Sequence, residues 1–247
     1  MHEETSSAKP TDCSKESAIN PHPTPTTHHL TSMPTALLAS TYFGPVQWYQ
    51  KLYRHDLCLI EQYDHFQKQT YRNRCRIATA NGSQVLTVPV ERTEGKCLMR
   101  DVRISDHGAW RHLHWNALQS AYGESPFFEF YADDLRPFFE RRWDFLFDFN
   151  MEITNKVCEL LDIQPNLAPT NEYIPIDRSA LRDACQSKNS PLLSDFREAI
   201  HPKHPIPDAD FEPRPYYQQY ASRHGFQPNL SILDLLFNEG NEAIFFL

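Results

Sequence analysis

The sequence predicts an α/β fold, in which a mixed sheet containing a βαβ unit is flanked by helices and forms a single domain after a disordered N-terminal tail. Two observations carry this prediction. An apolar segment at residues 35–40, a helical pattern at 46–55 and a second apolar segment at 57–60 follow one another, which is the order that joins two parallel strands by a right-handed crossover. Asn81 and Gly82 then separate two strand-like segments, which predicts a β-hairpin.

The later elements follow from periodicity. Residues 84–90 alternate between apolar and polar like a strand, and residues 96–104 predict a further strand-like piece. Apolar residues recur at helical spacing over 110–122 and over 144–161, which predicts two amphipathic helices. The fold is therefore expected to combine parallel and antiparallel pairing.

The domain boundary follows from composition. Residues 1–33 are rich in Thr, Ser, Pro and His without apolar periodicity, so they are predicted to form a disordered tail before an α/β domain at 34–247. His28 and His29 could bind a metal weakly, but a polar tail is the preferred interpretation. Several prolines over 176–215 predict a loop-rich insertion.

Composition also restricts the function. The net charge of -8 argues against nucleic acid as a partner, because general nucleic-acid binders carry a basic surface. No glycine-rich phosphate loop, secretory signal or membrane span is present, and the six cysteines form no close pair. These observations favour free thiols and a cytoplasmic protein; they identify no cofactor and leave the oligomeric state open.

A dense mixture of cations, amides and aromatic rings occupies residues 63–77. Arginine suits forked recognition of phosphate or carboxylate, and lysine supplies a point charge. Arg72 and Arg74 are two positions apart, so they would share one face of a strand. This segment predicts a site for an anionic small-molecule ligand, with Gln67, Lys68 and Asn73 as further contacts. In the alternative interpretation, the cations pair with acidic residues elsewhere in the chain.

The segment between the first strand and the first helix is a second candidate. Tyr42 and Gln47 lie where open α/β sheets place ligands, and free backbone N–H groups at the start of the helix would attract an anion.

His114 is the candidate catalytic residue. It lies on the apolar face of the helix predicted at 110–122, beside Trp110 and Leu118. A general base needs a pKa near the working pH and an orienting partner. A histidine on an apolar face is more often a core residue, and this alternative stays open. His107 and His112 do not share metal-ligand spacing with it, so no metal site is predicted.

Several ordered blocks of the chain resemble the WbqC-like protein family. They include residues 42–49, 64–68, 72–77 and 86–90, together with the helix around His114 and the block that begins at Tyr122. Residues 226–236 look like the ending of the Bacteroidetes-type members. The chain departs from the family pattern at two points: Gly44-Pro45 stands where members usually have Pro-Trp, and residues 71–75 stand where members usually have Trp-Asn-Arg-Asn.

The resemblance implies a cytoplasmic step on an activated sugar, because family members are often encoded with surface-polysaccharide genes. The leading hypothesis is group transfer on a nucleotide-activated or phosphorylated sugar. Arg72, Arg74 and Lys68 would hold the anionic portion, Asn73 and Gln67 would read hydroxyls, and His114 would act as general base. Tyr42, Gln47 and Tyr122 complete the predicted substrate-binding set. The alternative is a non-catalytic nucleotide- or partner-binding protein. A nucleotidyltransferase-like site at 42–47 is less favoured, because the loop lacks the usual pair of histidines.

Overall fold

Four parallel strands form the centre of the fold in the computed structural model, which describes residues 34–92, 95–176 and 193–247. The strands are β1 (Thr35–Ala39), β2 (Leu57–Glu61), β5 (Leu167–Pro169) and β6 (Leu193–Asp195), and their order is β5-β2-β1-β6. Every neighbouring pair in this sheet is parallel. The predicted α/β fold with a βαβ unit is confirmed.

The βαβ unit consists of β1, α1 (Val46–Arg54) and β2. Ala36, Leu37 and Leu38 of β1 are fully buried, which explains why this strand reads as a continuous apolar run. Trp48 and Leu52 on α1 are buried as well, and the indole N–H of Trp48 donates to the carbonyl oxygen of Ala39 at 2.9 Å. The helix is therefore tied to the carboxyl end of β1.

The predicted hairpin is formed by β3 (Arg74–Thr79) and β4 (Gly82–Thr87), which pair antiparallel as a separate two-stranded sheet. Gly82 has a φ of 110°, a left-handed conformation that glycine adopts without steric cost. Cys75, Ile77 and Leu86 lie on the buried face of the hairpin.

The strand-like piece predicted at 96–104 forms no continuous strand: a 3-10 turn, η1 (Met99–Asp101), is flanked by isolated antiparallel bridges of Leu98 with His65, of Arg103 with Phe145 and of Ile104 with Val90. The physical reason is that backbone N–H groups of this segment donate to the turn that follows β2 and not to a neighbouring strand. The N–H of Met99 donates to the carbonyl oxygen of Asp64, and the N–H of Arg100 donates to that of Gln62.

Helices surround both sheets. They are η2 (His107–Ala109), α2 (Trp110–Tyr122), α3 (Phe128–Leu135), α4 (Pro137–Glu140), α5 (Leu146–Leu160), α6 (Ala221–His224), α7 (Ile232–Glu239) and η3 (Gly240–Phe246). The bounds of α2 match the predicted helix, and those of α5 differ from the prediction by one or two residues. Within the described ranges, no helix is both long enough and apolar enough to cross a bilayer.

The predicted tail at 1–33, with its histidines, lies outside the described residues, and so do residues 177–192 of the predicted insertion. Residues 193–195, which were expected to be loop, form β6 and pair with β1. The sequence pattern does not predict this strand, because it is only three residues long and its sequence, Leu-Ser-Asp, has a single apolar residue.

Candidate functional site

A crevice lies at the carboxyl edge of the parallel sheet, between β1 and β6. The chain proceeds from β1 to β2 and β5 on one side, whereas β6 pairs with the other side of β1. In open parallel sheets, such a reversal of strand order leaves a ligand site outside the carboxyl ends of the strands. The crevice is narrow, with a free volume of about 10 Å³, and is lined by Ser40 and Thr41 after β1, Phe196 and Arg197 after β6, and Arg72.

Arg72 is 4% exposed and forms a buried ion pair with Asp64 through Nη2. Burial lowers the pKa of its guanidinium, while the charge and hydrogen bond of Asp64 act in the opposite direction. The side-chain amide of Asn150 donates to the carbonyl oxygen of Arg72 at 2.8 Å, which fixes the backbone at this position. Arg72 is therefore a positioned cation in the wall of the crevice.

Arg197 is the second guanidinium of the crevice. Its Nε and Nη2 donate to the carboxylate of Asp195 at 3.0 and 2.7 Å, and Nη2 also donates to the carbonyl oxygen of Ile174 at 2.8 Å. Burial alone would lower the pKa of Arg197, but the hydrogen bond and charge of Asp195, with the charge of Glu61, raise it overall. These contacts leave Arg197 as a fixed structural charge beside Arg72.

Glu61, the last residue of β2, connects several segments at this edge. Its buried carboxylate accepts hydrogen bonds from the backbone N–H groups of Tyr63 and Ile174 at 2.7 and 2.9 Å. It also accepts from the hydroxyl of Thr170 at 2.9 Å and lies 3.5 Å from Nη1 of Arg197. A buried carboxylate is tolerated when donors surround it in this way, so Glu61 is part of the framework of the site.

The segment after β6 adds a histidine near the crevice. Nδ1 of His201 accepts from the N–H groups of Lys203 and His204 at 3.2 and 3.1 Å, so the neutral ring carries its proton on Nε2. Burial, His204 and the charge of Arg72, in that order, lower the pKa of His201. The ammonium group of Lys203 donates to Oε1 of Gln69 and joins this segment to the turn before Arg72.

Within the described residues, this edge can recognise an anion. Guanidinium and imidazole N–H groups make strong, charge-assisted hydrogen bonds to phosphate and carboxylate oxygens. Of the residues that form it, Arg72 belongs to the sequence-predicted set, whereas Glu61, Arg197 and His201 were missed. Glu61 could have been found as a charged residue that ends a buried strand. Arg197 and His201 could not, because the strand before them leaves no clear pattern.

Four other predicted residues lie outside the crevice lining. Gln67 and Lys68 are exposed in the turn before Arg72. The side-chain amide of Asn73 donates to the carbonyl oxygen of Val88 at 2.8 Å, and Arg74 is the first residue of β3. The expected common face of Arg72 and Arg74 does not form, because the strand begins only at Arg74 and Arg72 lies in the preceding turn.

The start of α1 is not an open anion site. The N–H of Val46 donates to the carbonyl oxygen of Leu230, and the N–H of Gln47 donates to Oδ1 of Asn229, both at 3.0 Å. The side chain of Gln47 donates to Asp208 at 2.8 Å and accepts from Asn229 at 2.9 Å. The expected anion stabilisation at this helix start is therefore corrected: the segment before α7 already occupies these donors.

His114 and Tyr42 form a buried pair, with 2.9 Å between the tyrosine hydroxyl and Nδ1. The ring of His114 also has a backbone hydrogen bond with Thr87 and packs against Trp110. Burial lowers the pKa of His114 to about 4, so the imidazole is neutral near pH 7. This geometry favours the core interpretation of His114, and its catalytic role stays a prediction.

The buried imidazole predicts a pH-dependent stability. In the unfolded chain His114 is protonated below its ordinary pKa of about 6.5, whereas in the folded state it is protonated only below about pH 4. His114 therefore makes its full contribution to the free energy of unfolding above pH 6.5, and this contribution falls by up to about 3 kcal/mol toward pH 4. Urea unfolding at a series of pH values should show this loss.

A His114→Gln variant should lose less stability between pH 6.5 and 4, because its amide does not titrate. His107→Gln removes an exposed histidine near the same helix and should keep the wild-type pH dependence. An unchanged pH dependence in His114→Gln would contradict the assignment.

Tyr122 is fully buried and is held within the fold. Its hydroxyl donates to Oδ1 of Asp234 at 2.8 Å and accepts from the N–H of Ala78 at 3.0 Å. The predicted substrate contact at Tyr122 stays a prediction. Over residues 34–92, 95–176 and 193–247, His, Cys, Asp and Glu form no group of three or more that could hold a metal ion.

A protein-family model described as the WbqC-like protein family matches residues 40–245, which include the loop after β1, the hairpin, α2 and the arginines of the crevice. The chain belongs to the WbqC-like protein family. Family membership confirms the resemblance drawn from the sequence blocks, and the Bacteroidetes-type assignment stays a prediction.

A relative from Mycobacterium tuberculosis (strain ATCC 25618 / H37Rv), named "Uncharacterized protein Rv1507c", is 33% identical over 195 residues. The aligned region covers 73% of this WbqC-like chain and 84% of the relative. No solved structure matches the chain.

Proposed function

We propose that this WbqC-like protein is a cytoplasmic enzyme that catalyses group transfer on a nucleotide-activated or phosphorylated sugar, in surface-polysaccharide or sugar metabolism. The crevice between β1 and β6 would hold the phosphate portion of the substrate. One observation carries the proposal: a buried, positioned guanidinium, that of Arg72, lines the crevice where the strand order of a parallel sheet reverses.

The hydrogen-bonding groups around the crevice support phosphate as the bound group. The ion pair of Arg72 with Asp64 engages Nη2, and Nε and Nη1 are the nitrogens that it does not use. The Nε2–H of His201 is a second donor, and the hydroxyl of Thr41 is buried without a hydrogen-bond partner among the described residues. Together they would give charge-assisted and neutral hydrogen bonds to phosphate oxygens.

Exposed polar side chains beside the crevice suit the sugar portion. Gln67 and Lys68 lie in the turn before Arg72, and Gln69 in the same turn contacts Lys203. In this proposal, Gln67 forms a hydrogen bond with a sugar hydroxyl, and the ammonium groups of Lys68 and Lys203 attract the anionic substrate.

The alternative, a non-catalytic nucleotide- or partner-binding protein, has one observation in its favour. The residue expected to act as general base, His114, is buried in a hydrogen-bonded contact with Tyr42. The carboxylates near the crevice are likewise engaged, Asp64 by Arg72 and Asp195 by Arg197.

The proposal predicts that a sugar nucleotide stabilises the protein. UDP-N-acetylglucosamine, GDP-mannose, glucose 1-phosphate and UDP would be screened by thermal unfolding. A ligand at 100 times its Kd contributes about 2.7 kcal/mol, which corresponds to a Tm increase of roughly 5–10 °C for a chain of this size. A His201→Ala/Lys203→Ala variant should show less than half of the wild-type increase.

Arg223→Ala is the matched control, because this exposed arginine contacts Ala80 at the tip of the hairpin and does not line the crevice. Its Tm increase should equal that of the wild type. Incubation of the stabilising sugar with an acceptor, followed by mass spectrometry, separates the two functions: transfer supports the enzyme, and binding without transfer supports the alternative. No Tm increase with any of the four ligands would contradict the enzyme and the nucleotide-binding form of the alternative.

A further inference from the structure

A second cavity, of about 300 Å³, lies at the start of α2 and is formed by residues other than those of the crevice. Arg111 and His112 of α2, Arg136 before α4 and Glu140 at the end of α4 contribute polar side chains. Trp115 and Phe139 contribute two aromatic rings, whose centroids are 5.6 Å apart. The volume is at the lower limit for small-molecule sites, which combine apolar walls with a few polar groups in this way.

Arg111 provides the main polar group of this cavity. Nη1 forms an ion pair with Asp106 at 2.6 Å, and the guanidinium lies over the ring of Trp110 at 4.8 Å. Nε and Nη2 have almost no solvent-accessible surface and no hydrogen-bond partner among the described residues, so the guanidinium must turn toward the cavity before they can bind an anion. Buried donors without a partner are rare in folded proteins, and a guanidinium with two of them is suited to forked recognition of an anion.

The charges around the cavity also favour an anion. Asp106 is shared between Arg111 and Arg142, and Glu140 pairs with Arg136 at 2.6 Å. These five groups carry one more positive than negative charge, although the whole chain has a net charge of -8. A locally positive site on an acidic protein concentrates anions where it lies.

The backbone at the start of α2 also favours an anion. Ala109, which precedes α2, makes no side-chain capping hydrogen bond, and the first turn of the helix contains no acidic residue. Ala109 also lines the cavity. The positive end of the helix dipole is therefore not neutralised by an acidic side chain in this turn.

We infer that this cavity binds a small molecule with a flat aromatic ring and a single anionic group, such as an aromatic carboxylate or a mononucleotide. The anionic group would meet Arg111 and Arg136, and the ring would lie against Trp115 and Phe139. The two compounds share this chemistry, and none of the residues that line the crevice lines this cavity.

Isothermal titration of the full chain with 4-hydroxybenzoate, UMP and inorganic phosphate tests the inference. We expect at least one of the two aromatic anions to bind with a Kd below about 1 mM, and phosphate to bind at least about tenfold more weakly because it has no ring. Arg111→Gln should weaken the aromatic anion about tenfold or more, and Arg136→Gln should weaken it less, because this arginine is exposed. Arg111→Lys, which keeps the charge without the fork, should give an intermediate Kd.

Two controls keep the test specific. Arg223→Gln, at the hairpin tip, should bind both aromatic anions like the wild type, and His201→Ala, near the crevice, should keep wild-type binding of 4-hydroxybenzoate, which has no phosphate. Absence of binding by both aromatic anions at about 10 mM would overturn the inference, as would wild-type binding by a folded Arg111→Gln. Loss of 4-hydroxybenzoate binding in His201→Ala would also overturn it, because the ligand would then be in the crevice. If the sugar nucleotides do not bind, the proposed function fails but the inference about this cavity is unchanged.

Discussion

Replacing Asp234 by alanine is expected to destabilise the protein by about 3–5 kcal/mol, a large part of the stability of a domain of this size. Asp234 is fully buried at the start of α7. The hydroxyls of Tyr122 and Tyr216 and the amide of Gln218 donate to its two oxygens at 2.7–2.8 Å. Removing the carboxylate would leave the hydroxyls of Tyr122 and Tyr216 without an acceptor, and Gln218 would keep only its bond to the carbonyl oxygen of Gln227. Each buried donor left unpaired costs about 1–3 kcal/mol.

The measurement is urea unfolding followed by circular dichroism. Asp133→Ala, an exposed aspartate on α3, is the matched control and should change the free energy of unfolding by less than about 0.5 kcal/mol. Tyr216→Phe removes a single donor and should cost less than Asp234→Ala. A loss below about 1 kcal/mol in Asp234→Ala would mean that water replaces the acceptor, and the buried network would not be a main support of the fold.

Replacing Arg72 by glutamine should cost about 3–5 kcal/mol, because the change leaves Asp64 as a buried, unpaired charge. In the double variant Arg72→Gln/Asp64→Asn, both charges are removed together, and most of the lost stability should return. The double-mutant cycle in urea then gives the coupling energy of the ion pair directly. This pair lies in the wall of the proposed phosphate site, so the cycle also separates folding from binding.

The ligand screen applied to the same variants gives the second result. The double variant should fold, yet show little or no Tm increase with the sugar nucleotide that stabilises the wild type. A full Tm increase in the double variant would remove Arg72 from the ligand contacts and leave it as a structural residue. The cycle also needs the single Asp64→Asn variant, and a loss in the double variant equal to the sum of the two single losses would show that the pair contributes no coupling energy.

The secondary-structure elements that depend on short-range sequence patterns were predictable. The βαβ unit, the hairpin turn and α2 follow from apolar runs, from Asn81 and Gly82, and from helical spacing, all of which act over a few neighbouring residues. The strand-like piece predicted at 96–104 forms only isolated bridges, because the backbone N–H groups of Met99 and Arg100 bond to the turn at Gln62 and Asp64. Such long-range pairing leaves no mark on the local alternation of side chains.

The site was predictable only in part, and His201 illustrates why. Arg72 belongs to a dense cationic segment, so its chemistry was evident. The sequence separates His201 from it by more than a hundred residues, and only the pairing of β6 with β1 brings the segment after β6 to the same edge. His114 shows the reverse case, since its place on an apolar helix face was correct but is compatible with either a base or a core residue.

The class of fold, the position of the first crossover and the cationic character of the turn before β3 can be read from the sequence alone, because each depends on side chains close together in the chain. Which cation lines a crevice and which is occupied elsewhere depends on how distant segments pack. The strand order β5-β2-β1-β6 sets Arg72 and Arg197 at one edge, while Asn229 and Leu230 occupy the start of α1. A charged side chain becomes a binding group only when the fold positions it where a ligand can reach it, and that position depends on contacts between distant segments.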